Sequence, residues 1–253
     1  MAAGTADGAH GPMHQFEIIR LARLELFGVD ISLTNSSLVM LLAVLLISAF
    51  LILPMRNRAL VPTRVQSVIE ILYEFVANLV RENVGTEGMK YFPFVFTLFV
   101  FILSLNLLGM IPYSFTVTSH IVVTFALAAM VFTVVTAIGF LRHGLGFLKL
   151  FVPEGVPLLM LPLIIVIELI SYLIRPITLS VRLFANMLAG HTMLKVFAGF
   201  VVGLGAVFGI APLLFTVAFT GLEFFVAFIQ AFIFAVLTCI YLNDAVNMHH
   251  GTT

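Results

Sequence analysis

The amino-acid sequence predicts an all-α integral membrane protein. It calls for about five to six membrane helices, two of them long and strongly tilted into a hairpin, plus one interfacial amphipathic helix. Three observations predict this. Hydrophobic residues make up 62% of the 253, and charged residues only 9%, against about 25% charged in soluble domains. Several apolar runs approach or pass the roughly 20 residues that a helix needs to cross a bilayer. Between the first two runs lies a segment whose apolar residues recur at helical steps. The formal net charge is zero, which argues against a nucleic-acid partner. The one cysteine, Cys239, rules out an internal disulfide.

Residues 1–37 are polar or mixed and are assigned to the outer side, with 1–12 expected to be unstructured. The first transmembrane helix is placed at 38–55. "TNSS" at 34–37 offers caps at its start, and Pro54 with the basic "RNR" at 56–58 is expected to end it. Residues 56–90 form a cytoplasmic-face loop that contains the amphipathic segment "RVQSVIEILYEFVANLVRENVG" (64–85). Val65, Val68, Ile69, Leu72, Val76, Leu79 and Val80 make its apolar stripe, and Arg64, Glu70, Glu74, Arg81 and Glu82 lie mostly off it. Two readings stay open: a helix lying on the membrane surface, or one docked on a soluble partner.

Residues 91–141 are read as a transmembrane hairpin, with spans at 91–111 and 120–141. Residues 142–155 make a second cytoplasmic loop. Residues 156–243 are read as the tilted pair, 156–198 and 206–243, joined by the glycine-rich stretch 199–212. A helix of ~43 residues is about 65 Å long, whereas the hydrocarbon core is about 30 Å thick. Such a helix must tilt, bend or break, and Pro157, Pro162 and Pro176 offer break points. Residues 244–253 form a C-terminal tail.

Lys and Arg in short loops set orientation. Arg56, Arg58, Arg64, Arg81 and Lys90 fall between the first two spans, and Arg142 and Lys149 follow the third. The turn at 113–120 has neither Lys nor Arg. The N-terminus is therefore expected outside and the C-terminus in the cytoplasm.

Ionisable groups inside a membrane segment are costly and tend to face a partner, a bundle interior or water. Here they are Glu168, Arg175, Arg182, His191, Lys195 and Glu223, joined by the neutral Asn186 and Gln230. Glu168, Arg175 and Arg182 are spaced by seven and share one side of a helix, and Asn186 follows Arg182 by four. His191 comes nine residues after Arg182, half a turn off, so it points away from it. Glu223 and Gln230 are seven apart and share a face of the second long segment. Arg182 is thus expected to face something outside the helix pair, and His191 to face Glu223. Glu168 and Arg175 are open to a second reading, in which they neutralise each other.

"SVRLFANMLAGH" (180–191), preceded by "IELISYLIRP" (167–176) and followed by "FIQAFIFAVLTCIYL" (228–242), resembles subunit a of the F-type ATP synthase. "NLLGMIPYSF" (106–115) fits the same family. The resemblance implies a proton-translocating stator subunit with two aqueous half-channels beside a ring of c subunits, each carrying a membrane-embedded carboxyl group. It implies b-type peripheral stalk subunits as further partners, in a lipid bilayer. The family's essential arginine falls on Arg182, its asparagine one turn later on Asn186, and the glutamine of its last helix on Gln230. Many bacterial members carry Glu at the position of His191 and His at that of Glu223. The exchange found here is similar to mitochondrial-type members. Glu168 and Arg175 are candidates for the inner path. No cofactor and no resident metal are expected, and the chain has no G-x-x-x-x-G-K-[ST] loop for nucleotide phosphates. The implied location is a bacterial inner (plasma) membrane, with the mitochondrial inner membrane as the alternative. The rival function is a stand-alone ion-coupled secondary transporter, which needs no ring.

Overall fold

The computed structural model describes residues 20–22, 25–26, 29–30, 33–56, 63–111, 116–152 and 160–247. The expectation that 1–12 are unstructured lies outside them, as do the Pro157 break point and residues 248–253 of the tail.

Two short antiparallel strand pairs come first. β1 (Arg20–Ala22) pairs with β4 (Leu33–Thr34), and β2 (Glu25–Leu26) pairs with β3 (Val29–Asp30). The sequence reading did not anticipate this nested ribbon, because its strands of two or three residues are too short to leave a periodic signal. All else that is regular among the described residues is helical. The helices are α1 (Asn35–Arg56), α2 (Arg64–Val84), α3 (Phe92–Gly109), α4 (Ile121–His143), α5 (Leu161–Gly203), the four-residue α6 (Gly205–Phe208) and α7 (Ile210–Val246). Turns of 3-10 helix occupy Thr86–Tyr91, Val117–Ser119 and Gly144–Phe151. Among the described residues, five helical segments are long and apolar enough to cross a membrane: α1, α3 with the turn before it, α4, α5 and α7.

The polar "TNSS" stretch starts α1 as its residue types dictate. The Thr34 amide donates to Ser37 Oγ at 2.9 Å, and the Ser37 amide donates to Thr34 Oγ1 at 3.3 Å. This reciprocal cap satisfies donors that a helix start leaves unpaired. The described part of α1 reaches Arg56, two residues past Pro54 and the first of the basic "RNR" residues expected to end it. The bond that proline removes falls in the last turns, where little of the helix remains to lose.

Part of the amphipathic stripe of α2 is covered by helices of its own chain, which neither sequence-based reading included. Thr63 caps the helix, accepting from the Gln66 amide at 3.3 Å. Ile69, Val76, Leu79, Val80 and Val84 are buried, and the helix packs on α7 and α3 of its own chain. Val65 and Val68, at the start of the stripe, remain exposed. Periodicity reveals an apolar face, but it does not say what covers that face.

α5 is one helix of 43 residues, with Pro162 in its first turn and Pro176 in its interior. Pro176 does not break it. Tyr172 and Pro176 are buried, and the Tyr172 hydroxyl bonds to Thr136 of α4 at 2.7 Å. Packing on α4 thus holds the turn from which proline removes a bond. The glycine-rich stretch 199–212 is mostly helical too: α5 ends at Gly203 and α7 starts at Ile210. The direction change concentrates at Gly205, whose φ of 72° is open to glycine at no steric cost. An uncharged segment in an apolar setting satisfies its backbone by staying helical.

α7 is the central element. It packs against α5, α3, α2 and α4. Phe99, Ile102, Phe234, Leu183 and Leu242 are among the side chains fully buried around it. α1 is peripheral. It rests on α3 through Ala43, with Leu105 and Val117, and exposes most of its apolar surface.

Candidate functional site

α5 and α7 lie side by side and antiparallel, and three polar pairs join them. At one end Arg175 Nη1 lies 2.9 Å from Asp244 Oδ2. Further along, Asn186 Nδ2 donates to Gln230 Oε1 at 2.9 Å. Beyond that, His191 Nδ1 and Glu223 Oε1 lie 3.5 Å apart, both buried. The half-turn offset between Arg182 and His191 brings His191 to Glu223 while Arg182 turns outward.

The phases of α5 follow from which face α4 and α7 cover. Tyr172, Pro176, Leu179, Ser180, Leu183, Met187 and His191 are buried. Arg182, Ala185, Asn186 and Ala189 are exposed on the other side. Arg182 makes no ion pair among the described residues. The outward stripe therefore carries one fixed cation among small side chains, and no part of the described chain covers it.

Glu223 sits in a tight place. A Cβ on Gly190 would lie 2.7 Å from Glu223 Oε1 and 3.2 Å from its Cδ. Only glycine at 190 leaves the carboxyl group where it is. Asn186, Gly190 and Glu223 help line a cleft of about 220 Å³, together with Ala189, Met193 and Phe219. That volume holds several waters. Both Glu223 oxygens, His191 Nε2 and Gln230 Nε2 are buried with no hydrogen-bond partner among the described residues. Buried polar atoms of this kind call for water or a ligand. Chemically, the arrangement offers an acid and an imidazole 3.5 Å apart, a cleft sized for water, and a separate exposed guanidinium.

The remaining sequence-derived candidates fall differently. Glu168 is half-exposed and makes no ion pair among the described residues. The reading in which it neutralises Arg175 is overturned, because Arg175 pairs across to Asp244 instead. Seven residues separate Glu168 and Arg175 by about 10 Å along one helix, whereas α7 presents an acid directly alongside. Tyr172 and Tyr241 flank the same guanidinium, their ring centroids 5.4 and 5.2 Å from it.

The match to known proteins is extensive. The family model described as ATP synthase A chain matches residues 37–243. The protein named ATP synthase subunit a from Chelativorans sp. (strain BNC1) is 60% identical, over 96% of this chain and 100% of its own length. Its namesake from Rhodospirillum rubrum is 59% identical over 95% and 100%. That from Pelagibacter ubique (strain HTCC1062) is 56% identical over 96% and 100%.

The chain belongs to the ATP synthase A chain family. Membership makes it a proton-channel subunit of the membrane sector and not the catalytic unit. Two features of this family member escaped the sequence reading. Asp244, assigned to the C-terminal tail, lies within α7 and is the partner of Arg175. Asn106 is fully buried on α3 and donates to the Ala227 carbonyl of α7 at 3.2 Å. An amide inside the apolar run of α3 was the available signal, although its partner is 121 residues away.

Proposed function

We propose that this chain is the stator half of a rotary proton turbine. In this reading Arg182 faces the carboxyl groups of a c-subunit ring, and two half-channels reach that contact from opposite sides. The observation that carries it is the outward stripe of α5: an exposed arginine, without an ion pair among the described residues, flanked by Ala185 and Ala189. A helix of the ring approaches closely over small side chains. A ring carboxyl facing lipid keeps its proton, because burial disfavours the charged form. Beside Arg182 the carboxylate is favoured and the proton leaves. The fixed cation also repels a proton that would pass straight from one half-channel to the other.

His191 and Glu223 serve the outer half-channel, with the adjoining cleft as its water-filled length and Asn186–Gln230 at its inner limit. Glu168 lines the inner half-channel, and Arg175 borders it. The N-terminus is outside and the C-terminus in the cytoplasm of a bacterial inner membrane. In support of this orientation, Lys90 and Arg142 meet Glu87 at one end of the bundle, near the C-terminal end of α7. Peripheral stalk subunits of b type hold the chain against the torque of the ring. Moving one charge across 100 mV releases about 2.3 kcal/mol, so a ring that sums several protons is needed to drive ATP synthesis.

The test is Arg182→Ala in the assembled complex. ATP-driven proton pumping is expected to vanish while the complex still forms. A cysteine beside Arg182, at Ala185 or Ala189, is expected to cross-link to an oligomeric ring subunit. Normal coupled pumping in the variant, or no ring subunit captured from either position, would overturn the proposal.

A further inference from the structure

We propose that the Arg175–Asp244 pair sets the register of α7 against α5, and through it positions Asn186 on Gln230 and His191 on Glu223. The inference rests on the reading above that those two pairs belong to the proton path. It assigns Arg175 a positioning role in place of proton transfer.

Three observations carry it. The first is the form of the clamp. Arg175 is held by a carboxylate at 2.9 Å and by two tyrosine faces, Tyr172 from its own helix and Tyr241 from α7. An arginine bound on several sides at once has a fixed place along the helix axis, which a lone hydrogen bond does not give it. Its charge is also permanent, so it is a poor relay for a proton and a good pin.

The second is the seam that the clamp must organise. On the side of α7 that bears Gln230 and Asp244, the residues between them are Phe234, Leu237 and Tyr241, and among the described residues no hydrogen bond or ion pair joins α7 to α5 between those two ends. Apolar contact is non-directional, so by itself it specifies register less sharply than a hydrogen-bonded ion pair does. Displacement by one turn, about 5.4 Å, is a known mode of helix rearrangement. Polar pairs in such seams are best attested as devices that fix register.

The third is distance. Arg175 lies eleven residues from Asn186 on α5, about 16 Å along the axis. It touches neither path pair. Its reach is through the helix backbones. The end of α7 is also tied to the rest of the bundle, since Asn247 Nδ2 donates to the Val84 carbonyl at 2.9 Å and a His143 ring nitrogen lies 3.3 Å from the Val246 carbonyl. Among these ties Arg175–Asp244 is the one that joins α7 to α5.

The experiment uses the complete ATP synthase in its membrane. Cys239→Ala removes the native thiol. Phe197→Cys and Phe219→Cys then place a reporter at the other end of the hairpin, where these two rings stack with centroids 5.4 Å apart. Disulfide yield between 197 and 219 reads the register, and ATP-driven pumping reads the path. Arg175→Ala and the near-isosteric Asp244→Asn, which keeps the fold if the first does not, are each expected to lower the disulfide yield about fivefold and to lower pumping with it. Arg175→Lys retains the charge but loses the planar group between the two rings, and is expected to recover part of both. A fall in pumping with the disulfide unchanged would overturn the proposal, since Arg175 would then act on the proton path directly. A fall in the disulfide with pumping intact, or no change in either, would also overturn it. The disulfide reports register whatever moves through the path, so failure of the functional reading shows in Arg182→Ala and not here.

Discussion

The Asn186 amide donates to the Gln230 carbonyl oxygen at 2.9 Å, across the same seam on whose outer side Arg182 stands exposed one turn earlier. Asn186 is at the exposed rim and Gln230 is fully buried. The pair marks the boundary between the outward face of α5 and the interior of the bundle. Its two members also differ in what their loss would leave behind.

Asn186→Leu strands Gln230, whose Oε1 loses its partner and whose Nε2 already has none among the described residues. A buried polar group left unpaired costs about 1–3 kcal/mol. Gln230→Leu leaves Asn186 at the rim, where water satisfies it, and removes a buried amide. We expect Asn186→Leu to destabilise the purified membrane sector more than Gln230→Leu, read as the temperature at which the subunit dissociates. The reverse order would mean that Gln230 is held by more than Asn186.

Gly190→Ala and Gly199→Ala separate function from helix stability. Both replace glycine inside α5, and alanine is favoured in a helix by about 1 kcal/mol. At 199 nothing lies within 4 Å of the added Cβ, whereas at 190 the carboxyl group of Glu223 lies 2.7 Å away. Gly199→Ala should leave pumping unchanged. Gly190→Ala should push the Glu223 carboxyl group off His191 and reduce pumping at least about tenfold, the effect of an angstrom-scale misplacement in a positioned site. Equal activity in the two variants would show that the contact is absorbed elsewhere.

His191 Nδ1 and Glu223 Oε1 lie 3.5 Å apart, and if the two act as a pair, it should matter little which helix carries the acid. The double variant His191→Glu with Glu223→His is expected to keep more pumping activity than His191→Ala or Glu223→Ala alone. Initial pumping rates in inverted membrane vesicles measure this. Equal loss in all three removes the case that the two work together.

The span read from residue 120 starts one residue later, at Ile121, so His120 precedes α4 outside the spanning segments, and burial pushes its imidazole pKa below the ordinary value. Folding therefore favours the neutral ring. The stability this contributes is present above about pH 6.5, the unfolded value, and is lost as pH falls through the lower folded value. Replacing His120 by glutamine removes the titration. Thermal stability of the wild type should fall faster on acidification than that of His120→Gln, with the two curves converging toward neutral pH. Parallel curves would show that the ring does not titrate with unfolding.

The sequence by itself determined the class of this protein, most of its membrane helices and the opposite facing of Arg182 and His191 on α5. Charge is too costly in oil to be placed there without a reason, so Arg182, His191 and Glu223 stood out from their apolar surroundings. The 3.6-residue period then separated Arg182 from His191 by half a turn, because a helix makes that angle a property of spacing alone. The tertiary structure decided what spacing cannot carry. It gave Asp244 to Arg175 in place of Glu168, covered α2 with α7 and α3, kept α5 continuous through Pro176 where it packs on α4, and set Glu223 against Gly190. Each of these depends on which element lies opposite. Opposition between helices far apart in the chain is fixed by how all their faces are buried together, and no local window of sequence contains that sum.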